Sequence, residues 1–194
     1  MQLGKLRIPW LGGKTDDDDP YGDFFLNQPA QDPKNQIDTR IRGSREGHVY
    51  PAKVDTHTPA IMTEHVKELY RFFGACSSGI LDLSAHPELR PEGDDHPYAV
   101  IGVFKAAVDP RSHPGIGGQA VVLDGAFATF NLGAIIREWG FRATRVPAID
   151  GDRAAAAAGL GALNRAGRLV TPQFGAQVYV ADVILTDLPV APDR

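Results

Sequence analysis

Between Ala158 and Gly175 the chain reads AGLGALNRAGRLVTPQFG, and Leu185 to Val190 follow as LTDLPV. Gly159, Gly161, Asn164, Gly167 and Gly175 pack five turn-permissive positions into one loop. Such density lets main chain approach a bulky ligand and aim N–H groups at it. A purely structural loop is the competing reading. A phosphate loop needs a lysine after its glycines, and a dinucleotide fingerprint needs a preceding strand. Here the glycines follow an alanine-rich helical stretch, so neither motif applies.

Regular patterning begins at Thr58. Thr58-Pro59 suits an N-cap followed by proline at the first helical position. Val66, Leu69, Tyr70 and Phe73 recur at helical spacing, and Gly74 is a stop signal. Gly79–Leu83 and Tyr98–Ala106 are predicted strands, the second more buried. Gln119–Trp139 is a predicted long helix ended by Gly140. Arg142–Val146 is a third strand, Asp152–Leu163 an alanine-rich helix, and Arg168–Thr171 and Val178–Thr186 complete the sheet. The connections are too irregular for a doubly wound dinucleotide fold.

Residues 1–57 read as an extended, irregular arm in which no period persists. Pro9, Pro20, Pro29, Pro33 and Pro51 punctuate it. It nevertheless carries Trp10, Tyr21, Phe24, Phe25, Leu26 and Tyr50, more anchors than a solvated linker needs. It packs on its own domain, on a second copy of the chain, or on a partner protein. Asp16 to Asp19 form a solvated, self-repelling turn rather than a metal site, because consecutive acids rarely converge on one ion.

Composition narrows the function classes. With 194 residues, 43% hydrophobic and 23% charged, the chain has the make-up of one globular domain plus an arm. A net charge of -4 gives no footprint for nucleic acid or an anionic membrane. No apolar run reads as a membrane span, and no signal-peptide core opens the sequence, so a cytoplasmic location is expected. Cys76, the single cysteine, supplies neither a disulfide framework nor an iron–sulfur cluster.

Ala158-Gly-Leu-Gly161, Gly167, Leu169-Val-Thr-Pro172, Phe174-Gly175 and Thr186-Asp-Leu-Pro189 occur in that order, after Gly140-Phe-Arg-Ala143 and VKELYRFFGA at Val66–Ala75. As a set, these motifs resemble the cobalamin-binding core of reductive dehalogenases and epoxyqueuosine reductases. The likeness spans roughly Thr58 to Pro189. It implies an α+β, nitroreductase-like domain over residues 58–194, with an antiparallel-rich sheet flanked by helices. It also implies a base-off cobalamin whose nucleotide tail threads along the loop, contacting Gly159, Leu160, Gly161, Asn164, Gly167, Leu169, Thr171, Phe174 and Gly175. Asn164 stands where the family tends to have glycine, and Arg168 replaces an apolar residue.

Three departures bear on chemistry. The family's ferredoxin-like module, with cysteine-ligated clusters, would follow TDLP, so electrons are expected from a separate protein. No tyrosine lies between Tyr98 and Tyr179 to act as the family's proton donor. Asp124 is the only acid in Ala120–Asn131 and becomes the candidate donor, with a solvated or capping role as its alternative. No axial ligand is marked. His96 and His113 lie in Pro/Gly loops, and Lys105, Arg142 and Arg145 suit either substrate polarisation or ordinary salt bridges. Two functions follow: a non-catalytic accessory or structural subunit of a larger redox complex, or a cobalamin-dependent reductase with a separate donor. The accessory reading expects a protein partner at residues 1–57; a homo-oligomer is a further expectation. A flavin has no specific signal.

Overall fold

A computed structural model describes residues 37–193, with side chains from Arg40 onward. The expected anchors Trp10, Tyr21, Phe24, Phe25 and Leu26 and the Asp16–Asp19 turn lie outside the described residues. The described part of the arm departs from the expected irregularity. It contains a short helix, α1 (Ile37–Arg42), that packs against the central helix.

The first long helix, α2 (Pro59–Phe72), begins as its sequence dictates. Thr58 is extended (φ -103°, ψ 152°), and its Oγ1 accepts from the Ile61 amide at 3.3 Å. Met62, Val66 and Tyr70 stack at four-residue intervals and are buried. Gly74, at φ 97°, ends the helix.

The main sheet is wholly antiparallel. β1 (Ser77–Asp82) pairs with β2 (Tyr98–Lys105), β2 with β7 (Val183–Thr186), and β7 with β3 (Ala143–Val146). β6 (Val178–Val180) also pairs with β2. The predicted single strand over 178–186 is therefore interrupted. Val103 faces Val180 while Val100 faces Ile184, so one extra residue lies on the later strand. This is a β-bulge: the Ala181 amide still donates to Gly102 O of β2 at 3.0 Å, while Asp182 has no partner position on β2.

Strand alternation divides the core between the two faces of the sheet. Ile80, Val100, Phe104 and Ile184 pack toward α2 and α3 (Ile116–Glu138). Leu81, Ala99, Ile101, Val103 and Leu185 pack toward α4 (Gly151–Ala157). Burial on both faces explains why β2 is continuously apolar. Each fully buried Ile or Leu is worth roughly 1.5–3 kcal/mol.

The central helix, α3, corrects one sequence expectation. It has 23 residues, and an 18-residue window within it has a mean hydropathy of 1.4, which matches a membrane span in length and composition. Half of that apolar window is buried within the domain, where α3 contacts α1, α2, β2 and β3. Its apolar character is that of a core helix.

Residues 44–57 form a strap across the end of α3. The Tyr50 amide donates to Arg137 O at 2.9 Å, and the Val54 amide donates to Trp139 O at 3.1 Å. Glu46 accepts from the Arg145 amide at 2.6 Å and lies 3.5 Å from Arg137 Nη1.

Candidate functional site

The glycine-rich segment folds as a small hairpin on α4. α4 stops at Ala157, six residues before its predicted end at Leu163. Gly159, at φ 74°, is the cause: its amide donates to Ala156 O and the Leu160 amide to Ala155 O, both at 3.0 Å. This pair of bonds is a Schellman closure. β4 (Ala162–Leu163) then pairs with β5 (Leu169–Val170). At Gly161 a Cβ would collide with the Val170 carbonyl oxygen, so the hairpin requires glycine there.

Asn164 builds the hairpin turn. Its Oδ1 accepts from the Ala166 and Arg168 amides at 2.9 and 3.0 Å, and its carbonyl accepts from Gly167. Thr171 Oγ1 accepts from the Phe174 amide at 3.1 Å, and Thr171 and Gly175 exchange main-chain bonds. Leu160 packs against Gly79, Leu169 is 1% exposed, and the Phe174 ring lies 5.9 Å from Lys105 Nζ.

The consequence concerns hydrogen-bond donors. Nine residues were expected to meet a cofactor tail. The main-chain N–H groups of Gly159, Leu160, Asn164, Gly167, Leu169, Thr171, Phe174 and Gly175 all donate to protein acceptors instead. A phosphate would have to displace those bonds. Eight of the nine amides, all but Gly161, are thus engaged within the protein, which argues against an amide cradle for a corrinoid tail.

The other family-like motifs are also tied up in structure. Asp187 of TDLP accepts from the Arg142 amide at 2.7 Å and from Arg142 Nε at 2.9 Å. Thr186 Oγ1 donates to Arg142 O at 2.7 Å and accepts from the Leu188 amide. GFRA and TDLP thus clasp one another.

A polar cavity of about 490 Å³ opens beside the sheet bulge, where Arg42, Arg111, Gln119, Asp152, Tyr179 and Asp182 meet. Arg42 Nη2 donates to Tyr179 Oη at 2.5 Å, and Arg42 Nε lies 3.1 Å from Asp182 without hydrogen-bond alignment. Burial pushes the Tyr179 hydroxyl above its usual pKa, against the pull of Arg42. Asp152 is buried and accepts from the Leu169 amide, Arg111 Nη2 and Arg168 Nε at 3.0, 3.0 and 3.1 Å. Arg168, the departure from the family pattern, is thus a salt-bridge partner. Sequence reasoning missed this cluster; the one available signal was an acid in the first turn of α4 beside an out-of-place arginine.

Asp124 is exposed on α3 and lines neither this cavity nor the hairpin. Partial burial raises its carboxyl above the usual range. His96 is buried with Nδ1 3.0 Å from Asp94, and His113 Nδ1 lies 2.9 Å from Asp109 O. Arg142 pairs with Asp95 and Asp187, and Arg145 with Glu46, while Lys105 is exposed. No group of three or more metal-binding side chains occurs among the described residues.

Comparison with solved structures gives a consistent relative. The catabolic reductive dehalogenase NpRdhA superposes with a TM-score of 0.66 at 25% identity over 84% of this chain. The chain resembles a reductive dehalogenase core. NpRdhA in complex with 3-bromo-4-hydroxybenzoic acid gives the same values. A reductive dehalogenase described for B12-dependent dehalogenation gives a TM-score of 0.63 at 24% identity, a likeness of fold. In each case the chain spans 26% of the dehalogenase's length. No protein-family model and no curated protein match it. The reductive dehalogenase likeness agrees with the mixed helices and antiparallel sheet.

Proposed function

We propose that this chain is a reductive dehalogenase-like accessory subunit, in which a nitroreductase-like, corrinoid-related fold serves as a scaffold within a redox complex. One observation carries the reading: eight of the nine amides expected to meet a cofactor tail are already bonded within the protein. Two further features support it. Asp124 faces outward on α3, and the motif residues Thr186, Asp187 and Arg142 bond to each other. The proposal assigns the partner contact to the arm, residues 1–57, and the working location to the cytoplasm.

The second reading is a cobalamin-dependent reductase fed by a separate electron donor. It draws on Gly167 and Gly175, where an added Cβ would meet nothing within 4 Å. The hairpin's outer face is thereby open to a flat ligand.

The visible spectrum of protein purified with cobalamin present separates the two. The accessory reading expects substoichiometric corrinoid, unchanged in Ala166→Trp, which alters only the exposed tip. One-to-one retention that Ala166→Trp abolishes would overturn it.

A further inference from the structure

β1 forms an outer edge of the main sheet, and the chain itself shows how that edge takes an acidic residue. The Asp193 amide donates to Ile80 O at 2.8 Å, and Asp193 Oδ2 accepts from the Ile80 amide at 2.8 Å. The same carboxylate pairs with Lys67 on α2. One turn earlier on α2, Thr63 Oγ1 donates to Ala191 O at 3.0 Å and accepts from the Ala191 amide at 2.8 Å. The segment thus advances two residues, from Ala191 to Asp193, as α2 advances four, from Thr63 to Lys67. The steps match because four helical residues rise about 6 Å and two strand residues about 6.6 Å.

One step further along, the same parts recur. Arg71 follows Lys67 by four residues on one helix face, and Ser78 precedes Ile80 by two on one strand face. Ile80 directs its main-chain groups to Asp193 rather than to β2, so Ile80–Val100 and Ser78–Gly102 are non-hydrogen-bonded pairs. The Gly102 carbonyl agrees, since it accepts from the Ala181 amide on the far side of β2. The Ser78 N–H and C=O therefore point outward from the edge. A cavity of about 340 Å³ lies there, lined by Lys67 and Arg71 from α2 and by Ser77 and Ser78 from β1. Arg71 is exposed, and no described acid pairs with it, whereas Lys67 has Asp193. Glu64 also lines the cavity, and its charge limits the site to a single incoming carboxylate.

We infer that this cavity is a docking site for an acidic segment of a partner protein, which adds to the β1 edge in extended form. An aspartate of that segment bridges the Ser78 amide and the Arg71 guanidinium, as Asp193 bridges the Ile80 amide and Lys67. Its own amide donates to Ser78 O. Main-chain bonds give such a contact its affinity, and the charged pocket gives it selectivity. The surface is separate from the arm and from the hairpin, so it stands whether or not the chain holds a corrinoid.

Amide NMR spectra of the full-length chain, titrated with the blocked pentapeptide Thr-Val-Asp-Val-Thr, test this. The peptide is expected to shift the amides of residues 77–80 and to slow exchange of the Ser78 amide about tenfold. Replacing its aspartate by asparagine is expected to weaken binding about fivefold, and Arg71→Glu about tenfold. Four outcomes overturn the inference: no shifts at these amides, equal binding of the asparagine peptide, equal binding by Arg71→Glu, or the same shifts at the same affinity from sodium acetate, which assigns the cavity to a free anion. The asparagine peptide alters nothing in the chain, so it decides the question even where a variant fails to fold.

Discussion

Replacing Glu46 by alanine tests whether the strap is part of the domain. Its carboxylate serves two arginines whose side chains are only 5% and 6% exposed, Arg137 and Arg145. Burial pulls the Arg137 guanidinium below its usual pKa, and Glu46 pushes back. Removing one partner of a buried ion pair costs about 3–5 kcal/mol. Here the loss is smaller. Glu46 itself is 24% exposed. Arg137 keeps Ala143 O, while Arg145 keeps Ile41 O and Ser44 O. About 2–3 kcal/mol remains, because two buried cations lose their only described carboxylate. For a chain of this size that lowers Tm by about 5–10 °C. Glu46→Gln keeps an acceptor for the Arg145 amide and should lose about half as much. Thermal denaturation followed by circular dichroism measures both, with exposed Glu138→Ala as a control expected within about 0.5 kcal/mol of wild type. A Tm within about 2 °C of wild type for Glu46→Ala would refute the reasoning and detach the strap energetically from the domain.

Three other outcomes follow from the same geometry. Asp152→Ala strips a buried carboxylate from the Leu169 amide, Arg111 and Arg168, and should cost about 2–4 kcal/mol in urea unfolding. Asp152→Asn should cost less, and equal losses would contradict the charge argument. Arg142 holds the Asp95 carboxyl below its usual value, through a hydrogen bond and then its charge. A lowered folded-state pKa contributes stability above the unfolded carboxylate value, lost as pH falls through the folded one. Arg142→Gln should therefore destabilise the chain at neutral pH and flatten the acid limb of its stability curve; an unchanged acid limb would count against the pair. Burial raises the Cys76 thiol pKa, so its reaction with an aromatic disulfide reagent should be slow at neutral pH and speed up on denaturation. Equal rates in folded and denatured chains would show that Cys76 is not held as described.

The sequence was most legible where structure is decided locally. Thr58-Pro59 and Gly74 bracket α2 because a cap and a left-handed stop each act within one turn. α4 was drawn too long because alanine propensity runs on through 158, and only the Gly159 closure decides against it. The β6–β7 bulge left no trace, since VYVADVILT is continuously strand-like and only its pairing with β2 exposes the extra residue. The Arg42–Tyr179–Asp182 cluster joins residues 137 positions apart in sequence, and no local pattern reports such a meeting. Of the motifs behind the dehalogenase likeness, only the Gly159–Gly175 segment is expected from sequence to face a ligand. The motifs serve as caps, turns and clasps, so their order encodes a fold before it encodes any chemistry.

β7 has a consequence for how the chain is made. It is the last of the described strands in sequence, yet it lies inside the sheet, between β2 and β3. Until residues 183–186 leave the ribosome, β2 and β3 each present an unpaired edge, and Val100 and Ala143 lack the partners that bury them. Such late, non-local pairing slows folding and exposes a template for association between nascent chains. Synthesis of this protein thus has a vulnerable interval whose length is set by the distance from β2 to β7, and chaperone dependence should be concentrated there.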